Sequence, residues 1–132
     1  MASIVKTLRV VADPSRLRIL LLLKGEELSV AELQEILGMG QSTISTHLSQ
    51  LKQVGLVEDR RTGKNSLYRL AIPAGDGPLE EIITRSEREI AEANSDQAAM
   101  CHVLHKRQDR TRAFFDSVAG RLGKDYVPGK SW

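Results

Sequence analysis

The stretch Gly40–Leu56, GQSTISTHLSQLKQVGL, decides how the rest of this chain is interpreted. Its residues Ile44, Leu48 and Leu51 recur at the period of an amphipathic helix, and Gly55 is expected to end that helix in a left-handed conformation. The other face carries short, uncharged hydrogen-bonding side chains, namely Gln41, Ser42, Thr43, Ser45, Thr46, His47 and Gln50. A solvated face normally mixes Lys and Glu, whereas Ser and Thr are poorer helix formers. Because such side chains suit base edges and phosphates, the stretch predicts a DNA-reading helix.

The composition limits the class of protein. With 132 residues, of which 41% are hydrophobic, the chain is expected to be one soluble domain with a short tail. No apolar run reaches the roughly 18 residues of a membrane span, and the N-terminus lacks the pattern of a signal peptide. A single cysteine excludes an internal disulfide. We therefore expect a cytoplasmic protein without a membrane partner.

The charge distribution points to the same region. The net charge is only +2, but residues 41–70 hold five cations and two anions, whereas residues 78–132 hold nine of each. The excess positive charge thus lies next to the predicted reading helix, as nucleic-acid binding requires.

Two helices are predicted before this region. Residues Ile4–Ala12 have an amphipathic period, and Asp13-Pro14 combines a good N-cap with a good first helical residue. The helix Ser15–Lys24 is apolar on nearly all sides, so it is expected to be the buried central helix. We expect Arg16 and Arg18 near its start to be solvated charges, with phosphate contact as the less favoured alternative.

A third helix is predicted directly before the reading helix. Ser29 and Glu32 have the spacing of a capping box, and apolar residues follow at helical intervals. Gly38-Met39-Gly40 then breaks the helix. Two short helices joined by a glycine-containing turn form a helix-turn-helix, although an ordinary helical corner gives the same pattern.

The next segment predicts a β-hairpin. Leu56–Arg60 and Ser66–Leu70 have strand-like patterns, and Thr62–Asn65 has turn chemistry. A helix-turn-helix followed by a hairpin is a winged helix. The basic residues near the hairpin tip are expected to follow the DNA backbone or to enter the minor groove; the alternative is a solvated loop. These residues are Arg60, Arg61 and Lys64.

Within the reading helix, position suggests different roles. The residues nearest its start are expected to touch bases or flanking phosphates: Gln41, Ser42, Thr43 and Thr46. His47 and Gln50, farther along, are expected to contact the backbone.

Residues 12–70 resemble the ArsR/SmtB family of winged-helix transcriptional repressors. The resemblance is carried by three segments in order: ADPSRLRILLLL, ELSVAELQEILGMGQSTISTHLSQLKQVGLV and RRTGKNSLYRL. It implies a homodimer that binds an inverted-repeat DNA operator and leaves it when an effector binds. The arsenic-sensing members carry Cys-Val-Cys before the turn, where this chain has Ser29-Val30-Ala31. The missing thiols exclude a soft-metal site there, so the effector stays unknown.

After the hairpin, residues 73–78 are expected to be a linker. A narrow apolar seam over Leu79–Ala93 predicts one helix that pairs with a second subunit; packing within one chain is the alternative. Asn94-Ser95-Asp96 is expected to break the chain and cap a second helix, Gln97–Ala119. The predicted fold is therefore mostly α with a small β-hairpin, in the order α-α-α-α-β-β-α(-α), and dimeric through its terminal helices.

One cluster in the second of these helices has metal-ligand chemistry. Cys101, His105 and Asp109 have i, i+4, i+8 spacing, and His102 lies three residues before His105. A lone cysteine is usually packed, and surface histidines are usually only polar. We therefore predict no metal, with these four residues as minor candidates, and no cofactor.

The C-terminal segment offers a further resemblance. Residues 120–132 are expected to be a loop-like tail. The segment Arg110–Trp132, which begins RTRAFFDSVAG, resembles the junction to a fused S-adenosylmethionine-dependent methyltransferase. No glycine-rich cofactor turn follows, so the chain would be the regulatory part of such a fusion or a separate domain.

The predicted domains are thus residues 1–72 for DNA binding and 79–119 for dimerisation, followed by the tail. No catalytic constellation is recognisable, so we expect no enzyme. Three functions stay open: a DNA-binding repressor, a metal or small-molecule sensor acting through the C-terminal helix, and a winged helix used only for protein contacts.

Overall fold

The computed structural model describes residues 3–72 and 77–123, with side chains described through residue 118. It divides into two compact units, residues 1–100 and 101–132. The helices are α1 (Ile4–Val11), α2 (Pro14–Gly25), α3 (Val30–Leu37), α4 (Gln41–Gln53), α5 (Gly77–Ser86) and α6 (Ala93–Gly123). The strands are β1 (Leu28–Ser29), β2 (Val57–Thr62) and β3 (Asn65–Leu70). This is the predicted winged helix-turn-helix. None of the helices in the described ranges is both long and apolar enough to span a membrane.

The first two helices begin at side-chain caps. The hydroxyl of Ser3 accepts a hydrogen bond from the amide of Lys6, and Asp13 Oδ1 accepts from the amides of Ser15 and Arg16. These caps satisfy amides that have no partner inside a helix. In α2 five consecutive residues, 19–23, are buried. The prediction of a buried central helix is confirmed.

Helix α3 begins at the predicted capping box. The amide of Glu32 donates to Ser29 Oγ, and the Glu32 carboxylate accepts from the amide of Ser29. Gly38 ends the helix with a φ of 70°, a left-handed conformation that favours glycine. Helix α4 begins directly after this turn, at Gln41.

Helix α4 is fixed to the domain by its apolar stripe. Ile44, Leu48 and Leu51 are 0%, 1% and 0% exposed, so the predicted seam is confirmed. The helix ends at Gln53, and Gly55 follows with a φ of 78°. Because this stripe packs on the domain, the opposite face of α4 faces solvent.

The hairpin is longer than predicted and has a third strand. β2 and β3 pair antiparallel from Val57↔Leu70 to Thr62↔Asn65, around a turn at Gly63. β1 pairs with β3 at its other edge, which gives the strand order β1-β3-β2. Two residues are too few for a visible alternation, so β1 could not be predicted from its residues.

The single helix predicted over Leu79–Ala93 is wrong. Helix α5 ends at Ser86, whose hydroxyl donates to the carbonyl of Ile83, and residues 87–89 form turns bonded three residues back. A serine that bonds its own backbone competes with the helix. The predicted linker 73–78 is also too long, because α5 already begins at Gly77; residues 73–76 lie outside the described residues.

The predicted break at Asn94–Asp96 is wrong as well. These residues lie inside the first turn of α6, and Asp96 is 4% exposed. Its carboxylate does not cap a helix, because it is occupied by Arg18. Residues 120–123 belong to α6 and not to a loop-like tail, whereas 124–132 lie outside the described residues.

Candidate nucleic-acid interface

The outward face of α4 is built of exposed, uncharged side chains. The backbone period places them opposite the buried stripe, and α4 carries no acidic residue in its first turn. Five predicted contact residues are exposed: Gln41, Ser42, Thr43, Ser45 and Thr46. The face can therefore approach a groove edge without burying a charge.

The N-terminus of α4 adds backbone donors to this face. Its N-cap, Gly40, makes no side-chain capping bond. The amides of the first turn therefore have no cap, and uncapped helix amides favour an anion such as a phosphate. Thr46 Oγ1 donates to the carbonyl of Ser42 at 2.8 Å, which leaves its lone pairs for an incoming donor.

His47 lies at the edge of the face and has a partner outside α4. Its ring is half-buried, and Nδ1 accepts a hydrogen bond from Nε of Arg16 at 3.3 Å. Arg16 also donates from Nη1 to the carbonyl of Val10 at 3.2 Å. The expectation that Arg16 is only a solvated charge is therefore wrong.

Gln50 lies one turn after His47 and is half-buried. Its Oε1 is the one buried side-chain oxygen or nitrogen in the described ranges that has no hydrogen-bond partner. A buried acceptor without a partner costs free energy, and the phosphate oxygens of DNA are acceptors, so a backbone contact by Gln50 would use its amide N–H donors instead.

The wing, defined as β2, β3 and the turn between them, carries its cations in different states. Arg60 binds Glu27 bidentately, with Nε–Oε2 and Nη2–Oε1 distances of 3.2 and 3.1 Å, and this hydrogen bonding raises the pKa of Arg60. Arg69 pairs with Glu58, so its charge is also balanced within the hairpin. Glu27 therefore balances one of the three excess positive charges of residues 41–70, since Glu58 and Asp59 are already counted in that excess.

Two predicted wing cations differ from Arg60 in having no carboxylate ion-pair partner in the described part of the chain. Arg61 and Lys64 are exposed, and neither makes an ion pair within the described ranges. Arg61 is opposite Ser66 in the ladder, and Lys64 follows the turn glycine. These two are the wing cations that a phosphate can reach without displacing a carboxylate.

The minor metal candidates all lie on the surface of the second unit. Cys101, His102, His105 and Asp109 are exposed. In the described part of the chain, no three His, Cys, Asp or Glu side chains are grouped so that they could hold a metal ion. Within one chain, these four side chains therefore face solvent and are not arranged as a metal site.

The partners of three charged residues could not be predicted from the sequence: Arg16, Arg18 and Glu27. Arg18 binds Asp96 with both distances at 2.8 Å, and Glu27 holds Arg60. One signal was available, because cations near a helix N-terminus are disfavoured by the helix dipole. Two arginines early in α2 therefore indicate partners, although not which ones.

The comparisons with known proteins agree with this geometry. Residues 13–59 match the profile described as "Bacterial regulatory protein, arsR family". The chain is 40% identical over 86 residues to the HTH-type transcriptional regulator NmtR of Mycobacterium tuberculosis. Those 86 residues cover 65% of this chain and 72% of that protein. The chain belongs to the arsR family. It is accordingly a DNA-binding transcriptional regulator, and nothing in the family match indicates an enzyme.

Two further arsR relatives bear on repression and assembly. The arsenical resistance operon repressor of Escherichia coli is 38% identical over 92 residues, which cover 67% of this chain and 79% of that protein. A homodimeric winged helix-turn-helix DNA-binding domain from Mycobacterium bovis superposes with a TM-score of 0.54 at 31% identity, over 67% of this chain and 79% of the other. Neither relative is described as a methyltransferase fusion.

Proposed function

We propose that this arsR-family chain is a repressor that binds an inverted-repeat operator as a homodimer and leaves it when an effector binds. The observation that carries the proposal is the outward face of α4, where five exposed, uncharged hydrogen-bonding residues begin at an uncapped helix N-terminus. Such a face suits base edges and phosphates together. The relative in Escherichia coli is named as a repressor, which supports the assignment of repression.

Exposed apolar residues support the homodimer. On α1, Ile4, Val5 and Leu8 are 61%, 56% and 43% exposed, and Ile82 on α5 is 44% exposed. An open groove of about 600 Å³ lies between these helices and is lined partly by Leu8 and Ile82. Apolar surface of this kind favours a protein partner, and the Mycobacterium bovis neighbour is homodimeric. Two-fold symmetry would set the two reading helices roughly 34–36 Å apart.

The predicted contacts are divided between the two elements. Bases or flanking phosphates fall to Gln41, Ser42, Thr43 and Thr46, with Ser45 beside them. His47 and Gln50 serve the backbone, and the wing adds Arg61 and Lys64 as phosphate contacts. Arg60 contributes less, because Glu27 already balances its charge.

Fluorescence anisotropy tests the proposal. A duplex enriched by the protein from a random-sequence library is compared with its scrambled version over a salt series. Thr46→Ala is expected to weaken specific binding by about 1–3 kcal/mol with the fold intact. Ser49→Ala is the matched control, since Ser49 is exposed on the same helix but outside the proposed contacts. Equal binding to both duplexes by the folded wild type would refute sequence-specific recognition.

The effector is the less defined part of the proposal. The four exposed residues at positions 101, 102, 105 and 109 do not favour a metal, and the missing thiols at 29 and 31 do not favour an arsenical. A fused methyltransferase domain stays a prediction from the tail sequence. Sequencing the gene beyond the codon for Trp132 tests that prediction. We also expect the protein to act in the cytoplasm, where its DNA is.

A further inference from the structure

Arg16 joins the end of one helix to the edge of the reading helix. From the first turn of α2 it donates to the carbonyl of Val10, near the end of α1, and to Nδ1 of His47 on α4. Arg16 and His47 are 31 positions apart in sequence, so their hydrogen bond is a tertiary contact. It is also the one hydrogen bond that the His47 side chain makes with the rest of the described chain.

This contact fixes the chemical form of the imidazole. A guanidinium has five donors and no acceptor, and it stays protonated in proteins. Nδ1 of His47 must therefore be the unprotonated nitrogen, and the ring proton of the neutral imidazole lies on Nε2. Arg16 thus selects one of two possible tautomers and restrains the ring's orientation.

Nε2 is then the outward end of the ring. It makes no hydrogen bond within the described residues, and it is not among the buried atoms that lack a partner. An unpartnered atom that is not buried is in contact with solvent. His47 therefore presents an N–H donor to solvent, at the edge of a face whose neighbouring residues are exposed hydrogen-bonding side chains.

We propose that Arg16 is a positioning residue for DNA binding: it holds His47 in the Nε2–H form, and that N–H donates to an acceptor of the DNA. The acceptor is a phosphate oxygen or a base-edge acceptor such as guanine N7 or O6, which share the same chemistry. This inference rests on the proposed function. It differs from a direct phosphate contact by Arg16, because Arg16 acts through Nδ1 of His47 and does not itself touch the DNA.

Two substitutions of His47 separate its nitrogens. Asn places its amide near the position of Nδ1, so His47→Asn keeps an acceptor for Arg16 but removes the outward donor. Gln reaches the position of Nε2, so His47→Gln keeps the outward donor but removes the partner of Arg16. We expect His47→Asn to weaken binding to the enriched duplex about tenfold, and His47→Gln to stay within about threefold of wild type.

The same titrations on scrambled DNA distinguish the two acceptors. A His47→Asn loss of equal size on both duplexes assigns the donor to a phosphate, whereas a loss confined to the enriched duplex assigns it to a base. The reversed order, with Gln weaker than Asn, would overturn the proposal. Wild-type protein that binds no duplex would overturn this inference together with the proposed function, so the two failures are distinguishable.

Arg16→Met tests the positioning role directly. Its loss of affinity is expected to disappear in the His47→Gln background, and its salt slope is expected to stay that of wild type, because no phosphate contact is removed. Nitrogen-15 NMR of the His47 ring gives a second readout, with a single Nε2–H form in wild type and a mixture in Arg16→Met. A slope reduced by about one, with additive losses, would show instead that Arg16 contacts a phosphate.

Discussion

Two arginine–carboxylate pairs in the described part of the chain are bidentate, with the same donor nitrogens and very different surroundings. Arg18 binds Asp96 through Nε and Nη2 at 2.8 Å each, and the side chains are 14% and 5% exposed. Arg60 binds Glu27 through the same two nitrogens at 3.2 and 3.1 Å, with the side chains 52% and 32% exposed. Both carboxylates raise the pKa of their arginine through hydrogen bonding, so both arginines stay charged.

The difference in burial gives the pairs different functions. The inner pair connects α2 to the first turn of α6, where water cannot replace a lost partner. The wing pair lies in solvent, where an exposed ion pair contributes little and a phosphate can compete for the arginine. The inner pair, Arg18–Asp96, therefore connects two helices. The wing pair, Arg60–Glu27, holds a positive charge that a phosphate of the proposed DNA contact could bind instead.

Breaking the inner pair is expected to have the largest effect. Asp96→Ala removes the hydrogen-bonded carboxylate and leaves the largely buried Arg18 guanidinium with only the Coulombic attraction of Glu92. The free energy of unfolding should fall by about 3–5 kcal/mol, measured by urea denaturation of the full chain. Glu27→Ala, the matched change in the pair with Arg60, should lower the free energy of unfolding by less than about 1 kcal/mol.

A double substitution sharpens the interpretation. Replacing both partners with apolar residues, Arg18→Met with Asp96→Leu, should restore most of the lost stability, because no charge is left buried. If the double variant is as unstable as Asp96→Ala alone, the pair itself stabilises the fold and the desolvation argument fails.

The sequence predicted those elements whose apolar residues pack on one side of one helix or strand. The stripe Ile44, Leu48 and Leu51 lies on α4 alone, and the capping box at Ser29 is a local hydrogen-bond pattern. Local patterns of this kind are visible without the fold. The outward face of α4 followed from the same stripe, since it is the opposite side of one helix.

The sequence could not show where one apolar pattern is shared by two elements. Leu79 and Ile83 are buried on α5, but Ile90 and Ala93 continue their period on a separate segment, so a single seam was the wrong interpretation. Ion pairs between distant residues, such as Arg18 with Asp96, leave no periodic trace either. Their partners depend on tertiary packing, and so does the charge left on the wing.

The neighbouring wing arginines Arg60 and Arg61 give the next test. Arg61→Ala should weaken binding to all duplexes alike and lower the salt slope by about one, because Arg61 makes no ion pair in the described part of the chain. Arg60→Ala should lower the slope by less, since its phosphate contact would replace Glu27. Anisotropy titrations over a salt series measure both. Equal slopes for the two variants would show that the Glu27 pair does not persist beside DNA.

Releasing Arg60 should have a smaller and opposite effect. Glu27→Gln keeps a side chain of similar size but removes the carboxylate charge, so Arg60 becomes available to a phosphate. We expect tighter binding to enriched and scrambled duplexes alike, with a slightly steeper salt dependence. In the Arg60→Ala background this gain should vanish. A gain that survives there would come from reduced overall repulsion and not from Arg60.

The smallest effect concerns the ion pair between α4 and the wing. Lys52 Nζ lies 2.7 Å from Asp59 Oδ1, and this hydrogen bond lowers the pKa of Asp59 from its ordinary value of 3.8. A lowered carboxyl pKa gives stability that is present above that ordinary value and is lost as the pH falls through the lowered one. Wild type should therefore lose slightly more stability than Asp59→Asn below about pH 4, in urea denaturation at matched salt. Because both side chains face solvent, the difference should shrink as salt is added, and a salt-independent difference would mean that the pair is shielded from water after all.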